Sequence, residues 1–206
     1  CLKLKNNSET EKNISLFSYV EFCLWNAVDD ASNFQRNLSI GEVEVQGSTI
    51  YHKTEYRERR KHYSFFTVNT QVDNYDTNRD AFPEAVCKKK CSNSIASGWY
   101  PIAAHQIDLT LLPGEEKEFV FMLGYCENPA DDKWEAPGII NKTSAKALIE
   151  RFNTMEKAMQ AFAELKNYWE TLLARFAVVS ENEHIDRMAN IWNQYQCMVT
   201  FNMSRS

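Results

Sequence analysis

Gln106-Ile-Asp-Leu-Thr-Leu-Leu-Pro-Gly-Glu-Glu-Lys-Glu-Phe-Val-Phe-Met-Leu-Gly-Tyr125 is the stretch on which the fold turns. Its first half sets Ile107, Leu109 and Leu111 on one side and polar residues on the other, the period of two that a half-buried strand shows. Pro113-Gly114 then supplies a turn, and Glu118 to Tyr125 resumes as an extended run. Two strands joined so closely are expected to be antiparallel.

The same pattern recurs toward the N-terminus. Residues 12 to 25 read as a strand with Ile14, Leu16, Val20, Phe22 and Leu24 on one face and Phe17, Tyr19, Cys23 and Trp25 on the other. Apolar residues on both faces predict a central strand covered on both sides. Gly41 to Val45 alternates, as does His62 to Val68 more loosely, and Leu2-Lys-Leu-Lys5 reads as a strand already under way. This many strands favours a sandwich over a single open sheet.

Toward the C-terminus the composition changes. Glu127 to Gly138 is acidic, contains proline and has the character of a boundary loop. Thr154 is placed to cap a helix whose apolar stripe runs Met155, Met159, Phe162, Leu165, Trp169, Leu172 and Phe176. Ser180 and Glu183 have capping-box spacing before a second helix with Ile185, Met188, Trp192, Tyr195 and Val199. The fold class is therefore β plus α: an antiparallel sandwich followed by helices. The run from Cys197 to Met203 is apolar or small on most sides and suits a helix meant for burial, so the chain is expected to be truncated at both ends.

A chain of 206 residues with 44% hydrophobic and 13% aromatic residues has enough apolar surface for a core. Its net charge of -5 offers no global field for nucleic acid or an anionic membrane. No apolar run reaches membrane-spanning length, and residues 1 to 12 are too polar for a signal peptide, which gives a cytoplasmic expectation. The six cysteines (Cys1, Cys23, Cys87, Cys91, Cys126 and Cys197) are irregularly spaced and read as free thiols. Cys87 and Cys91 flank three lysines; a solvated basic turn is favoured over a redox pair or half a metal site, because no second Cys/His cluster completes a zinc set.

No catalytic constellation emerges from the residues. Asp29-Asp30, Glu115-Glu116 and Asp131-Asp132 are sequence neighbours, whereas glycosidic acid-base chemistry needs carboxyls on opposite sides of a cleft. The four histidines lack helical metal spacing, and no phosphate loop or nucleophile elbow is present. Two segments read as recognition surfaces. Trp25-Asn-Ala-Val-Asp-Asp-Ala-Ser-Asn-Phe-Gln-Arg-Asn37 offers aromatic faces and planar polar groups of the kind that hold sugars, against the alternative of a loop whose amides cap its own backbone. Thr54-Glu-Tyr-Arg-Glu-Arg-Arg-Lys-His62 could grip phosphate or a partner's carboxylates through Arg57, Arg59 and Arg60, against the alternative of a salt-bridged exposed face.

Four ordered motifs carry a family resemblance: Asn33-Phe-Gln-Arg-Asn37, Tyr51-His-Lys-Thr-Glu-Tyr-Arg-Glu-Arg-Arg60, Ser94-Ile-Ala-Ser-Gly-Trp99, and Ile191-Trp-Asn-Gln-Tyr-Gln-Cys-Met-Val-Thr-Phe-Asn-Met-Ser-Arg-Ser206. Together they make the chain resemble the inverting glycoside phosphorylases of the glycoside hydrolase family 94 type, to which cellobiose phosphorylase belongs. The resemblance implies an internal fragment of an enzyme that splits cellobiose with phosphate into α-glucose 1-phosphate and glucose. It implies the C-terminal part of a large N-terminal sandwich over 1–126, a boundary loop and helical linker over 127–180, and the first helix of an (α/α)6 catalytic barrel over 181–206. The family's catalytic aspartic acid is expected after Ser206, so this stretch alone is expected to be inactive.

By the same resemblance Gln35 and Arg36 bind the acceptor sugar, and Arg205 lies near phosphate. Inorganic phosphate is a co-substrate, neither a metal nor an organic cofactor is expected, and the full-length protein is expected to be a homodimer. Between Phe82 and Cys91 the chain reads Phe-Pro-Glu-Ala-Val-Cys-Lys-Lys-Lys-Cys, where a longer segment containing glycine and aromatics is expected of the family. A relative acting on cellodextrin, laminaribiose or chitobiose, or a non-catalytic sugar-binding sandwich, are the alternatives.

Overall fold

The computed structural model describes residues 1–22, 41–54, 61–96, 98 and 101–203. These divide into two compact units, residues 1–158 and 159–206.

The first unit is built on antiparallel sheets. Strands β3 (Gly41–Gln46), β4 (Thr49–Thr54), β5 (His62–Val68) and β9 (Phe121–Glu127) form a four-stranded sheet in that order. Strands β2 (Lys12–Glu21), β7 (Pro101–Leu111) and β6 (Asn74–Asn78) form a three-stranded sheet with β7 in the middle. Ile50 and Phe66 of the first sheet pack with Ala103 of the second, with Val20, Phe22, Val45 and Tyr75 closing around them. This interdigitated layer makes the pair of sheets a sandwich, as the alternating patterns predict. A second cluster, Val68, Ile107, Leu109, Leu111 and Phe119, continues it toward β1 (Leu2–Lys5) and β8 (Glu116–Phe119), which pair with each other.

The strand covered on both sides is β5, every residue of which is buried. Phe66 and Val68 face the three-stranded sheet. Tyr63 and Phe65 face the other way, into a cluster with Tyr51, Cys126, Ile140 and Ala145. That outer layer comes from β10 (Trp134–Ala136), β11 (Ile139–Ile140) and helix α2 (Thr143–Phe152), whose Ala145 amide donates to the Tyr63 hydroxyl at 3.2 Å. The expectation that β2 is the doubly covered strand is therefore corrected. It pairs only with β7 among the described strands, and Ile14 and Tyr19 are exposed. Its second apolar face is partly occupied instead by Phe82 of helix α1 (Phe82–Lys88), whose ring lies 4.8 Å from that of Tyr19 and 6.5 Å from that of Phe17.

The Pro113-Gly114 turn forms, with Gly114 at φ 76° and the Glu115 amide donating to the Leu112 carbonyl at 3.0 Å. It does not close a hairpin. β8 leaves it to pair with β1, and the chain then crosses to the other sheet as β9. Asn69 holds the crossing at Val120, whose amide donates to the Asn69 side chain at 2.8 Å while the Asn69 amide donates back to the Val120 carbonyl at 3.2 Å.

Helix α3 (Met155–Leu173) starts where the sequence predicts, with the Lys157 amide donating to Thr154 Oγ1 at 3.2 Å. In the second unit, α4 (Glu183–Arg187) runs through a π-helical segment (Met188–Trp192) into α5 (Asn193–Met203). Its N-cap is Asn182, whose side chain accepts from the His184 amide at 3.0 Å, rather than the expected Ser180. Ser180 lies one step outside, accepting from the Asn182 amide at 3.1 Å. Asn190 ties the preceding loop down by exchanging two 2.7 Å hydrogen bonds with the backbone of Val178. No described helix is long and apolar enough to cross a membrane.

Candidate functional site

Gln35, Arg36 and Arg205 lie outside the described residues, as do Arg57, Arg59, Arg60, Trp99 and the whole Trp25 to Asn37 segment. What the structure supplies is the frame that carries them. Residues 23–40 join β2 of the three-stranded sheet to β3 of the four-stranded sheet, so the Gln35-Arg36 pair belongs to a connection between the two layers. Phe22, the last described residue before it, stacks on His52 with ring centroids 5.0 Å apart and planes at 14°.

His52 opens a polar row across the inner face of the four-stranded sheet. It pairs with Ser64, which pairs with Tyr125, and His62 beside them pairs with Glu127. Paired residues of adjacent strands share a face. The Tyr125 hydroxyl donates to Glu127 at 3.0 Å and its oxygen is left to accept from His62 Nδ1. Such a row can orient hydroxyl groups. It contains no carboxyl opposed to another across a gap, so it does not supply acid-base chemistry on a glycosidic bond.

The acidic pairs named from sequence have structural roles where they are described. Glu115 accepts the Leu112 amide at 2.7 Å and so closes its own turn, and Glu116 pairs with Lys3 at 2.9 Å. Asp131 and Asp132 sit in an exposed single-turn helix. Among the described residues no group of three or more His, Cys, Asp or Glu side chains is placed to hold a metal ion.

Two buried polar clusters escaped the sequence reading. Asp76 of β6 is fully buried and accepts from Ser92 Oγ at 2.6 Å, Ser94 Oγ at 2.8 Å and the amides of both serines at 3.1 Å. Burial alone would push its carboxyl up, but these donors outweigh burial and hold it below the usual range. Gln106 completes the anchorage by accepting from the Cys91 amide at 2.7 Å and donating to the Lys89 carbonyl at 3.2 Å. Residues 82–91 are thereby a short helix and a turn pinned to β6 and β7. Cys87 is exposed and Cys91 buried, both as free thiols, so the expectation of a wholly solvated turn holds only for the first part. Burial and the Asp76 charge push the Cys91 thiol up to about 12, which removes its nucleophilic form at neutral pH.

The second cluster joins the β10–β11 hairpin to the sandwich. Lys142 Nζ lies 2.7 Å from Glu44 and 3.0 Å from Glu135, and donates to the Ile140 carbonyl at 3.0 Å. Lys53 reaches Glu44 at 3.0 Å, Glu42 at 3.2 Å and the Gly138 carbonyl. Burial pushes Glu44 up, and the hydrogen bonds from Lys142, the Ile140 amide and Lys53 more than reverse it. The alternation of Glu42 and Glu44 with Val43 and Val45 was the available signal, but of Glu44's partners only Lys53 is near in sequence, and Ile140 and Lys142 are more than ninety residues away.

In the second unit the end of α3, the π-helical segment and α5 leave an apolar groove of about 880 Å³ lined by Trp169, Leu172, Phe176, Tyr195, Met198 and Phe201. It carries no titratable constellation suited to catalysis. The expectation of an apolar C-terminal helix is met by α5, with Phe201 and Met203 exposed.

Comparison with known proteins supplies the remaining identity. Residues 1–155 match the glycosyl hydrolase 94 supersandwich domain, and residues 168–206 match the catalytic domain of the glycosyl hydrolase 94 superfamily. The chain is 27% identical over 205 residues to an N,N'-diacetylchitobiose phosphorylase of Vibrio furnissii, covering 95% of this chain and 24% of that protein. It is 29% identical over 203 residues to an N,N'-diacetylchitobiose phosphorylase of Vibrio proteolyticus, covering 94% of this chain and 24% of that protein. A 3-O-beta-D-glucopyranosyl-beta-D-glucuronide phosphorylase of Paenibacillus borealis is 25% identical over 143 residues, 65% of this chain and 17% of that protein. The chain thus spans about a quarter of the length of the Vibrio proteins it matches.

Proposed function

From the premise that this chain belongs to the glycosyl hydrolase 94 family, we propose that it is part of a disaccharide phosphorylase. The observation that carries the reading is the order of the matched domains, supersandwich then catalytic domain, in a chain similar over most of its length to proteins named as phosphorylases. In the reaction, phosphate oxygen bonds to the anomeric carbon from the face opposite the departing sugar, while a carboxylic acid protonates the glycosidic oxygen as its bond to carbon breaks. The products are a sugar 1-phosphate of inverted configuration and a free sugar. Phosphate is itself the nucleophile, so no second carboxylate is needed to activate water.

Within that scheme Gln35 and Arg36 hold the acceptor sugar, and Arg205 holds phosphate through the two-pronged geometry of its guanidinium. The acid is supplied by a part of the catalytic domain outside residues 1–206. The enzyme works as a cytoplasmic homodimer with neither a metal nor an organic cofactor.

For the substrate, similarity to two N,N'-diacetylchitobiose phosphorylases favours that disaccharide. Cellobiose, favoured by the motif resemblance, is the second reading. Full-length protein incubated with phosphate and either disaccharide separates them. Release of N-acetylglucosamine 1-phosphate supports the first, release of glucose 1-phosphate the second, and release of neither sugar phosphate from any β-linked disaccharide overturns the phosphorylase reading.

A further inference from the structure

His52 and His105 lie in the apolar layer between the two sheets, 6% and 0% exposed. Among the described residues neither ring nitrogen of either residue has a hydrogen-bond partner, and the Ser64 hydroxyl beside His52 has none. Instead each imidazole is sandwiched as an aromatic ring. His52 stacks on Phe22, and His105 stacks on Phe66 at 5.1 Å with planes at 8°. A buried polar atom without a partner is rare enough to need a reason, and here four ring nitrogens share one core layer.

We propose that this pair of unpartnered imidazoles is an acid-sensitive lock: neutral His52 and His105 let the two sheets close, and protonation at either position opens the layer between them. A neutral ring stacked in an apolar layer costs only its unmade hydrogen bonds. A cationic ring in the same place meets no counter-charge among the described residues and forfeits its hydration.

The surroundings bear this out. On β5 and β9 the titratable groups sharing the inner face are His62, Tyr125 and Glu127, and these bond to one another. On β6 the partner of His105 is Tyr75, and on β2 it is Ser18. On β3 the partner of His52 is Val43. Glu42 and Glu44 of β3, Tyr51 and Lys53 of β4, Tyr63 of β5, Tyr19 and Glu21 of β2, Asp76 of β6 and Asp108 of β7 all alternate onto the opposite faces of their strands.

Burial lowers both histidines from 6.5 to about 4. The unfolded chain therefore binds more protons than the folded one between those values, and the stability contributed by neutral histidine is complete above 6.5 and lost as pH falls toward 4. Glu44 and Asp76 are lowered from 4.5 and 3.8, so their own contributions are lost only as pH falls through those values, below the pH 5 at which the histidines are compared. At pH 5 each histidine should weaken closure about thirtyfold relative to pH 7.5, and the two together about a thousandfold.

The test uses the full-length protein with carbon-13-labelled histidine, combined with hydrogen exchange of the β4 and β7 amides at pH 7.5 and pH 5. The lock predicts that neither imidazole titrates near 6.5 while the sheets stay protected. It also predicts that protection in β4 and β7 falls at pH 5 by about a thousandfold, and by only about thirtyfold in His52→Phe or His105→Phe. Titration of both rings near 6.5 with protection intact overturns it, as does an unchanged pH dependence in the double variant. Should a variant fail to fold, the titration of the unsubstituted protein decides alone.

Discussion

The ring of Phe65 lies over the Cα of Gly124, its pairing partner across β5 and β9, in the space a Cβ at position 124 would take. Phe65 is 2% exposed and belongs to the cluster that carries the β10–β11 hairpin and α2. A glycine inside a strand normally weakens it. Here the missing side chain admits an aromatic ring.

Gly124→Ala is therefore expected to destabilise the sandwich by about 1–3 kcal/mol through overpacking. Phe65→Ala should cost about 3–5 kcal/mol by leaving a cavity. The double variant should be less destabilised than the sum of the two, because alanine at 124 refills part of that cavity. Denaturant unfolding of the four proteins measures the coupling, and strict additivity would show that the ring and the glycine are independent.

The Lys142 cluster predicts an asymmetry. Lys142→Met removes the cation that Glu44 and Glu135 share, leaves Glu44 paired with Lys53, and should cost about 1–3 kcal/mol. Lys3→Met, at a fully exposed and solvent-screened pair with Glu116 and Glu118, should leave stability almost unchanged. Faster hydrogen exchange in Trp134–Ile140 of the Lys142 variant, and not of the other, locates the effect at the hairpin.

Thiol accessibility follows burial. Cys1, Cys87 and Cys197 are exposed, whereas Cys91 and Cys126 are buried and their thiols raised. Alkylation of the native protein at neutral pH should label the first three and spare the last two until denaturant is added. Asp76→Asn should speed labelling of Cys91, since it weakens both the acceptor for its thiol and the anchorage of Ser92 and Ser94.

The helix cap gives a sharper contrast. Asn182→Ala should destabilise the second unit by about 1 kcal/mol, whereas Ser180→Ala removes a contact one residue outside the helix and should cost less. Equal losses would restore the cap to Ser180. Thermal unfolding followed by helical circular dichroism reads both.

How much of this was legible in the chain depended on the range of the physics involved. Alternation in Gln106 to Leu111 and in Gly41 to Val45 specifies strands locally, and Thr154 caps α3 within three residues of itself. The pairing of β8 with β1 rather than β7 goes with a long-range contact, the Asn6 side chain donating to the Leu111 carbonyl at 2.9 Å, and has no local mark. The doubly buried strand was misassigned for a related reason. Phe17 and Tyr19 of β2 are apolar because α1 covers them in part, and β5 is covered because α2 arrives from eighty residues later. His105 was recoverable, since extending the Ile107, Leu109 and Leu111 alternation back by two places it inside. Gln35, Arg36 and Arg205, proposed for acceptor and phosphate, rest on motif resemblance, and they lie outside the described residues.

Arg36 gives the site reading its own trial. Arg36→Ala in the full-length protein should mainly weaken use of the free acceptor sugar in the synthetic direction, with a smaller effect on the affinity for sugar 1-phosphate. Unchanged kinetics in both directions would remove the residue from the acceptor site.

The most direct measurement is a phosphorus and proton NMR time course of the full-length protein with phosphate and N,N'-diacetylchitobiose, repeated with cellobiose, reading the first-formed anomer. The account predicts an α-configured sugar 1-phosphate from one of these β-linked disaccharides, formed only when phosphate is present. A β-configured product, or cleavage that proceeds equally without phosphate, would contradict it.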